Sequence, residues 1–311
     1  MNYHHLFGPV PSRRLGVSLG IDLVPHKTCN LNCIYCECGP TTDLTLERRE
    51  YVPTDRVLAE LDDFLEGKPA LDYITFSGSG EPTLHAGIGT IIRHIRTHHP
   101  AYRIAVLTNG CLFFEKDVRD DVRDADVIIP SLDAATARTF RRIDRPHRGL
   151  AIDDIISGLV SLREEFSGAI WLEVFIIPGI NDTDEELAAL KRAIERIRPD
   201  KIQINTLDRP GVVDWIRPAT AAEMAHVVAS LHVPGVHIIG RPASRTGIAS
   251  FSGDLRAAIL QTLRRRPCTV DDLAKVFGLH PNEINKYIQV LVEEGAIQEK
   301  REERGIFFVA T

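Results

Sequence analysis

At 311 residues the chain is long enough to bury one large core and a second small one. Apolar residues make up 44% and charged residues 26%, which excludes a disordered chain and a disulfide scaffold. A net charge of −6 provides no global attraction to nucleic acid or to an anionic membrane. The opening MNYHHLFGPVPSRRLG lacks the apolar core of a signal peptide. No apolar run approaches the roughly 20 residues that span a bilayer, so a cytoplasmic protein is expected.

The predicted elements alternate. The first strand is GVSLGIDLV (16–24), preceded by a segment that reads as a surface loop carrying Arg13 and Arg14. Further strands are predicted at 73–78, 103–110, 126–133, 170–179, 201–207 and 236–240. Amphipathic helical patterns lie between them, at 184–198 and 221–232 among others. Near-continuous apolar strands separated by helices imply repeated βαβ units on a parallel sheet. About six units can be counted, enough for a partial or a complete barrel, so chemistry is expected on loops after the strands. After the Gly/Ser-containing stretch 244–253, helices are predicted at 254–266, 269–279 and 281–295, then a hairpin around EKREERG. This divides the chain into an α/β domain at 1–245 and a small winged-helix domain at 246–311.

Four of the six cysteines, Cys29, Cys33, Cys36 and Cys38, fall within ten residues after the first strand. In a reducing compartment such crowding points to a metal or redox site. Three thiolates at the spacing Cys29-x3-Cys33-x2-Cys36, on a loop, can reach different irons of one [4Fe–4S] cube and leave one iron open. The alternative is a zinc knuckle completed by Cys38 or His26.

CNLNCIYC resembles the CxxxCxΦC signature of the radical S-adenosylmethionine (radical SAM) superfamily, with Tyr35 as the aromatic residue. The resemblance implies a partial (βα)6 barrel and a [4Fe–4S] cluster on Cys29, Cys33 and Cys36 that binds SAM. One electron would then cleave SAM to methionine and a 5′-deoxyadenosyl radical, which abstracts hydrogen from a substrate. The resemblance places Tyr35 near the adenine and Cys38 beside the triad rather than in it. An electron donor such as flavodoxin or ferredoxin is implied.

The resemblance implies that later strand ends carry groups for the rest of SAM. FSGSGEP resembles the family's GGE motif, so Gly78, Ser79, Gly80 and Glu81 are candidates for holding the ammonium. Glycines there allow close backbone approach, and Glu81 offers a counter-charge. Asn109 ends the next strand. Ser131 and Asp133 suit the ribose hydroxyls, although Asp133 is equally read as a cap for a helix starting at Ala134. The apolar LEVFIIPGIND matches the loose motif that packs on adenine, with Glu173 read as structural and Asn181 and Asp182 as helix caps. Asn205, Asp208 and Arg209 end the sixth strand and are candidates for the substrate. With Arg241, Arg13 and Arg14 they suggest a ligand carrying phosphate or carboxylate, such as a nucleotide, an RNA base or an acidic peptide.

Residues 5–245 resemble a subgroup placed with tRNA wyosine-base synthesis enzymes. Those enzymes are expected to hold a second cluster on upstream cysteines, and this chain has no cysteine before Cys29. From Asp254 to Thr311 nine basic residues balance nine acidic ones, which argues against specific DNA binding. The competing reading is a redox-sensing winged-helix regulator, in which the strand-end motifs would have no purpose.

Overall fold

The computed structural model describes residues 3–12, 14–239, 255–279 and 281–311. Strand β1 (Leu6–Ser12) turns back antiparallel onto β2 (Gly16–Ile21). The loop after β2 contains a short parallel pair, β3 (Thr28–Cys29) and β4 (Asp43–Leu44). The chain then alternates through α1 (Thr54–Glu66), β5 (Tyr73–Phe76), α2 (Ile88–His98), β6 (Ile104–Thr108), α3 (Lys116–Val122) and β7 (Val127–Pro130). It continues through α4 (Ala137–Ile143), α5 (Ile152–Glu165), β8 (Ala169–Ile176), α6 (Asp184–Ile197), β9 (Lys201–Thr206), α7 (Ala221–Leu231) and β10 (Val236–Ile238).

The large sheet has the order β1-β2-β5-β6-β7-β8-β9-β10, with every pair from β2 onward parallel. Among the described residues its edges are β1 and β10, so the sheet they form is open rather than a complete ring. Strand β1, which contains Pro9 and Pro11, was not expected, since the segment read as a surface loop. Proline is tolerated there because β1 lies at an edge.

Strand side chains alternate between two faces. Leu19, Ile21, Ile74, Phe76, Val106, Leu172 and Ile204 join the helices in the main core, all of them fully buried. Leu15, Tyr73, Ala105, Val127 and Ile129 form a separate cluster on the other face, with Trp171 packed against it. Toward the C-terminal strand ends that inner face turns polar, with Ser18, Thr75, Asn205 and Gln203 all buried.

The C-terminal unit comprises α8 (Leu255–Arg265), α9 (Val270–Phe277), α10 (Pro281–Glu293) and the antiparallel hairpin β11 (Ile297–Glu302) with β12 (Gly305–Ala310). Cys268 bridges to Phe308, adding a minimal third strand. Ile259, Leu263, Leu273, Ile284 and Leu291 give the unit its own core, against which Val10 of β1 packs. Ion pairs Arg304–Asp208, at 3.5 Å, and Lys300–Asp214, at 2.7 Å, tie the hairpin to the segment after β9. The expected boundary at 245/246 lies outside the described residues, as do Arg13 and Arg241.

Candidate active site

The cysteine loop leaves the C-terminal end of β2 and crosses the sheet there. None of Cys29, Cys33, Cys36 and Cys38 forms a disulfide, and all four are partly exposed. The loop is pinned by backbone: Asn32 N and Ile34 N donate to carbonyls of Asp144 and Ile143 after α4, and Glu81 N donates to the Thr28 carbonyl. The thiols differ in surroundings. Burial, reinforced by the charge of Glu81, pushes Cys29 up to about 12. Cys33 is also pushed up, by burial and then by Asp144, whose carboxylate lies 3.5 Å from its sulfur. Cys36 is held down to about 5 by a hydrogen bond from Cys38 and by the ammonium of Lys27, 3.0 Å from its sulfur. The single Cys38 S–H also lies on the Arg265 carbonyl, so Lys27 is the firmer partner.

Lys27 is the residue the sequence reading missed. Its side chain is buried, 3% exposed, and the groups that keep it charged are Cys36, Cys29 and Cys38 rather than a carboxylate. Desolvating an ammonium is costly unless negative charge is supplied. The thiolate loop is what supplies it.

The Gly78–Glu81 turn follows β5, as expected, and its residues are held by contacts within the protein. Gly78 has φ +142°, and a Cβ there would lie 2.3 Å from Asp22. Gly80 lies against the Thr28 carbonyl, which a Cβ would meet at 2.1 Å. Both glycines therefore allow the turn to close on the protein itself. Ser79 donates through N and Oγ to the Asp22 carboxylate, at 3.3 and 2.9 Å. Glu81, 2% exposed, accepts from Thr83 N, Thr83 Oγ1, Thr108 Oγ1 and Asn109 N, all within 3.0 Å. Three of these donors reach Oε1 and one reaches Oε2, so the carboxylate ties the turn to β6. Glu81→Ala would strand four buried donors. The expected loss is more than about 2 kcal/mol, read as a lower thermal midpoint.

Asn109 lies closer to the cysteines than expected. Its Nδ2 donates to Asn30 Oδ1 at 2.5 Å and lies 3.6 Å from Cys29 Sγ. Tyr35 stacks on Phe175 with ring centres 4.1 Å apart and donates to Asp133. Asp133 also accepts from Phe175 N at 2.7 Å, and burial raises it to about 6. It caps nothing: α4 starts three residues beyond Ala134, behind the cap Thr136. Ser131, beside it, bridges to Glu173 through backbone, and the gap between Tyr35, Asn109, Ser131 and Asp133 is only about 20 Å³. Asn181, expected as a cap, is fully buried and braces the Asp133 and Phe175 carbonyls.

The substrate candidates divide. On the inner face Asn205 Nδ2 donates to Glu173 Oε1 at 3.0 Å, and Arg14 ion-pairs with the same carboxylate. Glu173 is thus the centre of a partly buried network, which its reading as structural did not anticipate. Arg209, 6% exposed, pairs with Glu37 of the cysteine loop at 2.9 Å. Asp208 faces Arg304. These two hold loop and hairpin together, and Arg209 also lines the cavity beside Arg14, Ser18 and Thr75.

A protein-family model described as the radical SAM superfamily matches residues 23–190 of this chain. The chain belongs to the radical SAM superfamily. The radical SAM chain is 35% identical over 305 residues to the GTPase Obg of Brachyspira hyodysenteriae, covering 95% of this chain and 43% of that one. It is 33% identical to a UPF0026 protein of Methanocaldococcus jannaschii, covering 72% of this chain and 70% of that one. The chain thus spans less than half of the first relative's length. Among solved structures, a radical SAM methyltransferase from Sphaerobacter thermophilus has a TM-score of 0.55 at 17% identity, covering 71% and 65% of the two chains. That likeness shows the shared fold.

Radical SAM enzymes use a [4Fe–4S] cluster and SAM, and this radical SAM chain's residues fit that group. Among the described residues the only trio of metal-type ligand atoms within 4.8 Å of one another is Asp62, His94 and His99. The cysteine sulfurs therefore do not converge as the ligands of a single zinc ion must. Two donors nearby also lack acceptors that the protein would normally supply. One is Lys27, with sulfur alone, and the other is the buried Asn30 Nδ2, without a hydrogen-bond partner. An anionic cluster with acceptor sulfides suits both. Of the described residues, no helix is long and apolar enough to cross a membrane.

Proposed function

We propose that Cys29, Cys33 and Cys36 hold a [4Fe–4S] cluster and that SAM binds across the Gly78–Glu81 turn, Asn109, and the Ser131 and Asp133 strand end. When bound, the cluster supplies one electron that cleaves SAM to methionine and a 5′-deoxyadenosyl radical, which takes hydrogen from the substrate. The observation that carries this is the loop of three undisulfided cysteines facing the buried, carboxylate-free Lys27. The cytoplasm, with flavodoxin or ferredoxin as electron donor, is the setting we infer. Anaerobic reconstitution followed by dithionite and SAM should yield 5′-deoxyadenosine. A fully iron-loaded protein that yields none sinks the assignment.

The chain's residues divide the remaining work. Asp22 and Glu81 fix the turn backbone, leaving its polar groups to face the ligand. Tyr35 covers Phe175, and the narrow 20 Å³ corner beside them must widen for a nucleoside to reach Ser131. The substrate is placed on the inner wall of Arg14, Glu173 and Asn205, next to a cavity of about 360 Å³ lined by Arg14, Ser18, Thr75 and Ser77. A cavity of that volume takes a small molecule or one extruded residue of a polymer. Arg14 and Arg209 are already ion-paired, so the wall offers hydrogen bonds of both kinds rather than four free cations. A polar ligand, with anionic character optional, fits better than one chosen for charge alone. Gln203 Oε1, buried on the same face without a partner, asks for a donor. Asn205→Leu is expected to spare the slow, substrate-independent cleavage of SAM and to lose the substrate-dependent part. Loss of SAM binding itself would place Asn205 in the cofactor site.

Wyosine chemistry is not part of the proposal. We read the C-terminal unit as a winged helix, supported by its three helices, the Cys268 bridge and the hairpin. Its Arg265 pairs with Asp22 of the large domain, and Arg304 with Asp272 of the unit itself and with Asp208, which speaks against a duplex-binding face.

A further inference from the structure

The cavity lined by Ser18, Thr75 and Ser77 has its far wall in the C-terminal unit, from Gln261, Arg265 and Phe277. Arg265 is the last residue of α8 and is held at both ends. Its carbonyl accepts from the Cys38 thiol, its Nε lies 3.4 Å from Asp22 Oδ2, and its guanidinium carbon sits 4.7 Å from the centre of the Phe7 ring. Phe7 occupies the space over Gly20, where a Cβ would lie 2.0 Å from the ring.

Asp22 is the post from which the Gly78–Ser79 turn hangs. Its Oδ2 accepts from Ser79 N and Oγ as well as from Arg265, while its Oδ1 is buried without a partner. The turn in turn touches the cysteine loop: Lys27 N donates to the Ser79 carbonyl at 3.0 Å, and Glu81 N to the Thr28 carbonyl at 3.1 Å. A carboxylate 9% exposed, with one oxygen unsatisfied, is costly to keep charged without a cation. Arg265 Nε is the ion-pair partner found for it among the described residues.

We propose that Arg265 is a positioning residue for the Gly78–Glu81 turn, so that the C-terminal unit completes the radical SAM site instead of merely accompanying it. The unit reaches the cofactor through Asp22 and closes the side of the substrate cavity with the same helix. This rests on the assignment of SAM to that turn, and the test separates the two.

The experiment uses the full chain, cluster-loaded, as wild type, R265A, R265K, D22N and D22N/R265A. Amide hydrogen exchange of the peptide covering 77–81 reads positioning directly, and SAM titration followed by the spectrum of the reduced cluster reads its consequence. R265A is expected to speed exchange there at least tenfold and to weaken SAM binding about tenfold (~1.4 kcal/mol), with iron content unchanged. R265K keeps the charge and should stay within about twofold of wild type. D22N removes the charge that needs Arg265, so D22N/R265A should be no worse than D22N. Unchanged exchange in R265A, or additive effects of the two substitutions, overturns the inference. Faster exchange in R265A beside a wild-type cluster blind to SAM would sustain the positioning and sink the SAM assignment.

Discussion

Cys33→Ala is expected to lose iron and the visible absorbance of the cluster together, and with them all formation of 5′-deoxyadenosine. Two thiolates cannot hold a cube that three hold, and the retained iron should fall by roughly a hundredfold or more under dilution. Cys38→Ala provides the contrast. Its sulfur lies on the Arg265 carbonyl and is not assigned to the cluster, so iron content should survive. Anaerobic iron and sulfide analysis of the two variants checks both statements. A Cys33→Ala protein that keeps its full absorbance would remove the basis of the cluster assignment.

Lys27→Met is expected to make the cluster harder to reduce and easier to lose. A buried cation stabilises the more negative, reduced state, so its removal lowers the potential. If the charged hydrogen bond to Cys36 differs between the states by about 1.4 kcal/mol, the one-electron potential drops by roughly 60 mV. Residues that support a metal ligand typically affect retention by about 10- to 100-fold, and a similar loss is expected here. Redox titration followed by paramagnetic resonance measures the first effect and iron content after desalting the second. A potential within about 20 mV of wild type would mean that Lys27 serves the fold and not the cluster.

What the sequence made legible was local. Strand cores such as YITF and IAVLT are buried on both faces, so their apolar runs betray them directly. The cysteine triad is legible because its spacing is short and its residue type is rare. The rest depends on partners far apart in the chain. Arg14 and Glu173 are 159 residues apart, and Arg209 and Glu37 are 172 apart, so no local pattern could reveal that these arginines are already neutralised. Glu81 shows the same limit from the other side. An acid after a glycine turn looks available for a ligand, yet two of its four donors come from β6 and the residue after it. Lys27 and Asp22 carried no signal either, since only burial distinguishes them from surface charges. Strand β1 read as a surface loop, and its prolines are ones that an edge position permits.

The order of strands bears on how the chain is made. From β2 to β10 each strand of the large sheet lies beside the next one in sequence, so a growing chain adds one βα unit at a time onto an existing edge. The contact between Arg265 and Asp22 spans 243 residues and joins the C-terminal unit to the loop after β2. Until α8 leaves the ribosome, the cysteine loop and the inner wall therefore stand open on that side. The side of the cavity made by Gln261, Arg265 and Phe277 is supplied only when the C-terminal unit has folded onto the sheet.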